Sequence, residues 1–514
     1  MRKKLIVLIV SLLPLLVCGL VFVDHLLEKR GRAHTKIIVS KETTYLLAPL
    51  DSHGYIDYVS AINEAARKGV TTENNAVVLL WQTLGPRDVP LTIRDPYFSL
   101  LGTAMLPENG DYYNPPSDAL DNQRKEAMKR PWSETDFPEL AAWLTANDKY
   151  IENFHECSRR TRYFSPLVPG EMRPRVMSSP LPAAQSSREL AYSLSARAML
   201  RIHGGKVDDA FQDSLACHRL GRLVGQGPSF CELLVAISLD EIARRVDLAI
   251  AENESLTADQ AQRFTAELKN LPPLPNVYEK VTWAERLLFL DAVAAIDQNI
   301  AEGLAGRPGG KRSGFFQKLD LFAADAFIDP NDALRSGNKW FDRMAEAASQ
   351  PTWLRCREAC AAFDRDLRQM DSDANAPSGV ADVANGEASK RMGDKTVGLL
   401  FPAAGIAVQA VNKDRQSIDL VYVAFALGAY RADHGRFPPK LADLAPKYVS
   451  EIPKDIFSDD DLHYQSTDRD YLLYSVGPNG TDENGRDDAS NPPGDDVVVR
   501  VSRQQPPDSA VKKP

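Results

Sequence analysis

A chain of 514 residues, 44% hydrophobic and 25% charged, is too long for a single compact domain and too apolar to be globally disordered. Its net charge of −9 is concentrated: Glu451 to Asp496 holds thirteen acidic residues against three basic ones, and the rest of the chain is close to neutral. This excludes a nucleic-acid surface in that region, because phosphate contact needs clustered Lys and Arg, and it suits a divalent cation or a solvated acidic face.

Arg2, Lys3 and Lys4 precede Leu5 to Val23, nineteen residues broken only by Ser11, Pro14, Cys18 and Gly19. That length spans a hydrocarbon core, and no small-residue cleavage site follows it. The expectation is an uncleaved single-pass anchor in the inner (cytoplasmic) membrane, with the bulk of the chain extracytoplasmic. The shifts in composition divide the chain into six segments. An anchor and its flank occupy 1–36, short helices and a long loop 37–131, and an α-helical body 132–369. A flexible linker follows over 370–395, an α+β domain over 396–502 and a disordered tail over 503–514.

Within the first segments, Tyr55 to Lys68 and Glu73 to Leu84 read as short helices, with Gly69 stopping the first and Thr72 capping the second. The region from Arg87 to Pro131, rich in Pro, Gly, Asn and Asp, reads as loop with short elements. In the body, Leu190, Leu194, Ala198 and Ile202 line one helix face, and Gly204-Gly205 ends that helix. Further helices are expected over Val207 to Val224, from Ser229 to about Ala251, over Ala258 to Lys269 behind a Thr257 cap, and over Asn276 to Glu302. Short turns between amphipathic helices make stacked hairpins. Ala196 to Leu223 resembles tetratricopeptide-type hairpins, without a clean 34-residue repeat. A surface for protein partners is the functional expectation for this body, against an irregular helical domain with no ligand.

Motifs for catalysis are missing. His155-Glu156 does not extend to HExxH, because position 159 is Arg. Gly306 to Ser313 fails as a phosphate loop, since Ala305 stands at the first Gly and Arg312 at the Ser/Thr position. His218 follows Cys217 directly, and helix neighbours point about 100° apart, so they do not read as a nucleophile pair. The cysteines, at 18, 157, 217, 231, 356 and 360, include no CxxC; Cys356 and Cys360 are four apart on an expected helix, where a disulfide would be strained, and are read as free thiols.

The C-terminal region carries the most specific pattern. A helix from Ile418 runs to Tyr430-x-x-Asp433-x-Gly435-x-Phe437-Pro438. Leu444, Tyr448, Pro453-x-Asp455, Tyr464, Tyr471 and Tyr474-Ser475-x-Gly477-x-Asn479-Gly480 follow. Strands are expected over Leu462 to Gln465, Tyr471 to Ser475 and Val497 to Val501. Asn479, Asp482, Asn484, Asp487, Asp488, Asp495 and Asp496 crowd hard oxygens into eighteen residues, the donor type calcium takes in flexible loops. EF-hand spacing is absent, and an acidic loop without metal is the plain alternative.

In order and spacing, this pattern resembles the C-terminal part of the major pseudopilin of type II secretion systems, over about a fifth of the chain. The resemblance implies a long helix packed on a small antiparallel sheet, outside the inner membrane, with a calcium-binding loop. The family's Ser-x-Gly-x-Asp-Gly reads Ser475 to Gly480 here, with Asn479 in place of Asp, and the closing Asp falls on Asp496. The Gly-Phe processing site and following Glu of a pseudopilin are found neither in the N-terminal segment nor before Leu399, so polymerisation into a pseudopilus is not expected.

The expected fold is therefore mainly α: a transmembrane helix, a helical-hairpin body and a small pseudopilin-like α+β domain. The expected role is interaction or assembly in a secretion or envelope complex. Calcium is the expected cofactor, held by Asn479, Asp482, Asn484, Asp487, Asp495 and Asp496. The rival is an envelope hydrolase with a discontinuous site in the helical body, recognisable by a pocket lined with convergent carboxylates, His or Ser.

Overall fold

The computed structural model describes residues 36–304, 329–374, 387–400 and 402–501. The anchor expected over Leu5 to Val23 and the tail over 503–514 lie outside the described residues, as does the Gly-rich break at Gly306 to Gly314. Among the described residues no helix is long and apolar enough to cross a membrane.

The fold is mainly helical. Among the described residues six short helices come first: α1 (Tyr58–Ala66), α2 (Ala76–Leu84), α3 (Arg94–Leu101), α4 (Asp118–Ala127), α5 (Pro138–Ala146) and α6 (Asp148–Ser158). The α2 cap is Asn75 and not Thr72: its side chain accepts from Val77 N and also pairs with both backbone groups of Phe164. A buried Asn that satisfies three backbone groups outcompetes a half-buried Thr.

Four longer helices follow: α7 (Pro182–His203), α8 (Val207–Val224), α9 (Phe230–Glu252) and α10 (Ala258–Lys269). Their starts are set locally. Ser229 with Glu232 and Thr257 with Gln260 both form reciprocal capping boxes. Then come α11 (Arg286–Leu304), entered through a π-helical turn at Val281–Glu285, α12 (Pro330–Ala348), α13 (Trp353–Ala374), α14 (Glu387–Leu400) and α15 (Pro402–His434). Three strands complete the described residues: β1 (His463–Ser466), β2 (Tyr471–Ser475) and β3 (Val497–Val501), antiparallel in the order β1-β2-β3.

The expected linker over 370–395 is helical wherever it is described; 375–386 lie outside the described residues. Its small residues serve close packing. On α14, a Cβ at Gly393 would sit 2.4 Å from the Ala333 carbonyl oxygen of α12. The expected start of the C-terminal helix at Ile418 also moves back, to Pro402, which is tolerated as a first helical residue because its missing N–H would be unpaired there anyway.

That long helix joins the C-terminal region to the body. Its Leu420, Val421, Val423, Phe425 and Leu427 are buried in one core with α2 to α10 and the sheet. Phe211 of α8 stacks on Phe264 of α10 at 3.9 Å, and Phe264 meets Phe425 edge-on at 6.0 Å. Burial of each such side chain contributes about 1.5–3 kcal/mol. A second cluster gathers α1, α11, α12 and the inner faces of α13 and α14.

Candidate metal centre

The acidic loop joins β2 to β3, and its two ends are adjacent because Ser475 pairs with Val497. Asp455 anchors the start: its carboxylate accepts from Val476 N (2.8 Å), Ser475 Oγ (2.9 Å) and Phe457 N (2.9 Å), fully buried. Gly477 then adopts φ +69°, and a Cβ there would lie 2.1 Å from the Asp495 carbonyl oxygen, so only glycine allows the two loop ends to close. The aromatic positions of the motif are packing partners. Tyr448 donates to Asp433 at 2.7 Å, Tyr464 to the Pro438 carbonyl at 2.9 Å, and Tyr471 meets Phe437 edge-on.

Closure brings the carboxylates of Glu483, Asp495 and Asp496 together, with one oxygen from each within 4.8 Å of the others. Asp496 is buried and accepts from Gly485 N (2.7 Å) and Arg486 N (3.1 Å). Asp495 accepts from Asn479 N at 2.9 Å through Oδ2, while its Oδ1 is buried with no hydrogen-bond partner. Asn479 Nδ2 donates to Glu483 at 2.8 Å, and the Asn479 carbonyl accepts from Arg357 of α13, also at 2.8 Å.

The electrostatics follow from crowding. Burial and the neighbouring Glu483 push Asp496 up to about 6, and burial also raises Asp495. Glu483 moves down, chiefly because Asn479 donates to it. Without a cation, the three carboxylates therefore hold on to a shared proton until the pH rises through about 6.

Of the six ligands expected from sequence, the structure brings Asn479, Asp495 and Asp496 to one place and adds Glu483, which the sequence reading passed over. The other three lie elsewhere. Asp482 accepts from Asn484 N at 2.7 Å and faces His463, 3.8 Å away. Asn484 is exposed at a left-handed turn (φ +62°). Asp487 accepts from Ser490 Oγ at 2.7 Å. Local turn contacts hold Asp482 and Asp487, so the dense run of acids does not converge as a whole.

The donor set suits calcium in kind: all ligands are hard oxygens, on a glycine-bearing loop free to adjust its coordination, with a net negative charge to offset. The orphaned Asp495 Oδ1 is the atom such an ion would satisfy. Asn479 at present offers N–H groups to the carboxylates and would have to rotate to contribute its amide oxygen.

The helical body holds a separate cavity of about 250 Å³, whose lining includes His53, Asp57, Glu171, Arg175 and Asp291. Asp291 is buried and accepts from Val176 N at 2.8 Å; burial pushes its carboxyl up to about 6. No protein-family model matches the chain, and no curated protein or solved structure is significantly similar to it.

Proposed function

We propose that this is a single-pass, membrane-anchored extracytoplasmic protein whose helical body serves interaction or assembly and whose pseudopilin-like C-terminal loop binds calcium. The observation that carries the calcium part is the convergence of Glu483, Asp495 and Asp496 around an unpartnered Asp495 Oδ1. The long helix beneath a three-stranded antiparallel sheet is also what the pseudopilin resemblance implies. The anchor at Leu5 to Val23 and the protein partners rest on the sequence pattern.

The test is calorimetric calcium titration of the full chain, with thermal melts in calcium and in chelator. A native-state ligand at a hundred times its Kd adds about 2.7 kcal/mol of stability, so calcium must raise the melting temperature. Asp495→Asn and Asp496→Asn should each remove both the heat and the shift. No heat, with identical melts in calcium and chelator, would overturn the reading.

A second reading, an envelope hydrolase, is favoured by the cavity at Asp291 and Glu171, whose carboxyls with His53 could supply general acid and base. Hydrolysis of chromogenic ester or glycoside substrates, abolished by Asp291→Asn, would support it; no turnover by the folded wild type would set it aside.

A further inference from the structure

Between α13, the first turns of α15 and the acidic loop lies a groove of about 510 Å³, floored by Trp353, Ile406 and Val408. Cys360 lines it, and Cys356 lies one helical turn behind, with the two sulfurs 3.9 Å apart. We propose that Cys356 and Cys360 form a two-thiolate site for a soft monovalent d10 cation, copper(I), entered through this groove.

Geometry separates this from a disulfide. Side chains four apart on a helix keep their Cβ atoms about 5–6 Å apart, whereas a disulfide needs about 3.5–4.5 Å, so oxidation would distort α13. A bridging metal asks for less. Two metal–sulfur bonds of about 2.3 Å place the sulfurs up to roughly 4.6 Å apart, so 3.9 Å is met by a bent pair or opened by a small rotation.

Ligand number selects the ion. Zinc in a protein-built structural site wants four ligands, and among the described residues no third His, Cys, Asp or Glu joins this pair within 4.8 Å. Soft thiolates and low coordination number favour copper(I). Binding releases two thiol protons to solvent and forms two sulfur–copper bonds; no electrons are transferred. The product carries one negative charge, and Arg357 and Arg368 line the same groove, with Asp364 opposing them.

Reduced full-length protein in a Cys18→Ser, Cys231→Ser background, which removes the N-terminal thiol and the exposed one among the described residues, would be titrated anaerobically with copper(I) against a chromogenic copper(I) chelator. One copper per chain should leave the chelator. Cys356→Ser and Cys360→Ser should each weaken binding by more than the roughly 100-fold that loss of a mere supporting group costs. In parallel, copper(I) should protect Cys360 of the wild-type sequence from iodoacetamide by peptide mass mapping, a readout that needs no folded variant. Failure of the chain to compete with the chelator, or unchanged affinity in both variants together with unprotected Cys360, would overturn the proposal.

Discussion

His218 holds a charge where no water reaches it. The ring is fully buried on α8, with Nδ1 2.8 Å from Asp240 and Nε2 2.8 Å from Asp247, both on α9. Burial opposes the charged ring, but Asp247 and Asp240 outweigh it, and its pKa rises to about 9. Asp240, also bound by Arg222, falls to about 2. His218→Ala leaves two carboxylates buried without their partner, and should cost about 3–5 kcal/mol in urea unfolding at pH 7. The sign of the pH dependence is fixed by the raised pKa. The imidazolium's contribution is complete below about 6.5 and is lost as pH rises through about 9. Wild type should therefore weaken between pH 7 and 10 more steeply than His218→Ala; equal slopes would remove His218 from this account.

Some of this was open to sequence reading. Asp240 and Asp247 are seven apart, a spacing that puts two side chains on one helix face, but only the packing of α8 on α9 shows that His218 faces them. The acidic loop is similar. Asp495 and Asp496 stood out as acids just before a strand, whereas Glu483 owes its place to the left-handed turn at Asn484 and Gly485 (φ +62° and +74°), which composition does not reveal.

At the scale of elements, the helices α8 to α10 were legible almost to the residue, because their ends are written in local chemistry: Gly204-Gly205, the Ser229 box and the Thr257 box. The strands were legible from alternation and turn residues. The seat of α15 was not, since partners for Phe425 and Leu427 come from distant helices. It approaches α9 tightly at Gly428, where a Cβ would lie 2.8 Å from the Ala251 carbonyl oxygen. Alanine normally gains about 1 kcal/mol over glycine inside a helix. Here Gly428→Ala should instead destabilise by about 1–3 kcal/mol, with the valine variant worse, as measured by chemical denaturation. A stabilised alanine variant would mean that α15 and α9 can separate freely.

For the whole molecule, buried carboxyls set an unusual pH profile. Glu285 is pushed up to about 7, and Asp291, Asp414 and Asp496 up to about 6, burial being the first cause for each. The folded chain thus binds more protons than the unfolded chain between about pH 4 and 7, and stability falls as pH rises through that window. In chelator, thermal melts should peak near pH 4 and decline toward pH 8; below that peak, loss of charge on Asp240 should reverse the trend. If the loop binds calcium as proposed, the ion should flatten the decline, because it competes with protons for the same carboxylates. A melting temperature that climbs steadily from pH 5 to 8 in chelator would contradict the assignment of these carboxyls.

The 33 residues of α15 make a rod about 50 Å long. Its first turns wall the thiol groove, its middle lies against α9 and α10, and β2 and β3 rest on it. Asp496 sits one residue before β3, so the acidic loop is tied to a strand seated on this rod. An unbroken helix transmits an axial push with little loss, having no hinge to absorb it. The acidic loop and the thiol groove thus sit on a shared axle, and the helical body is its bearing.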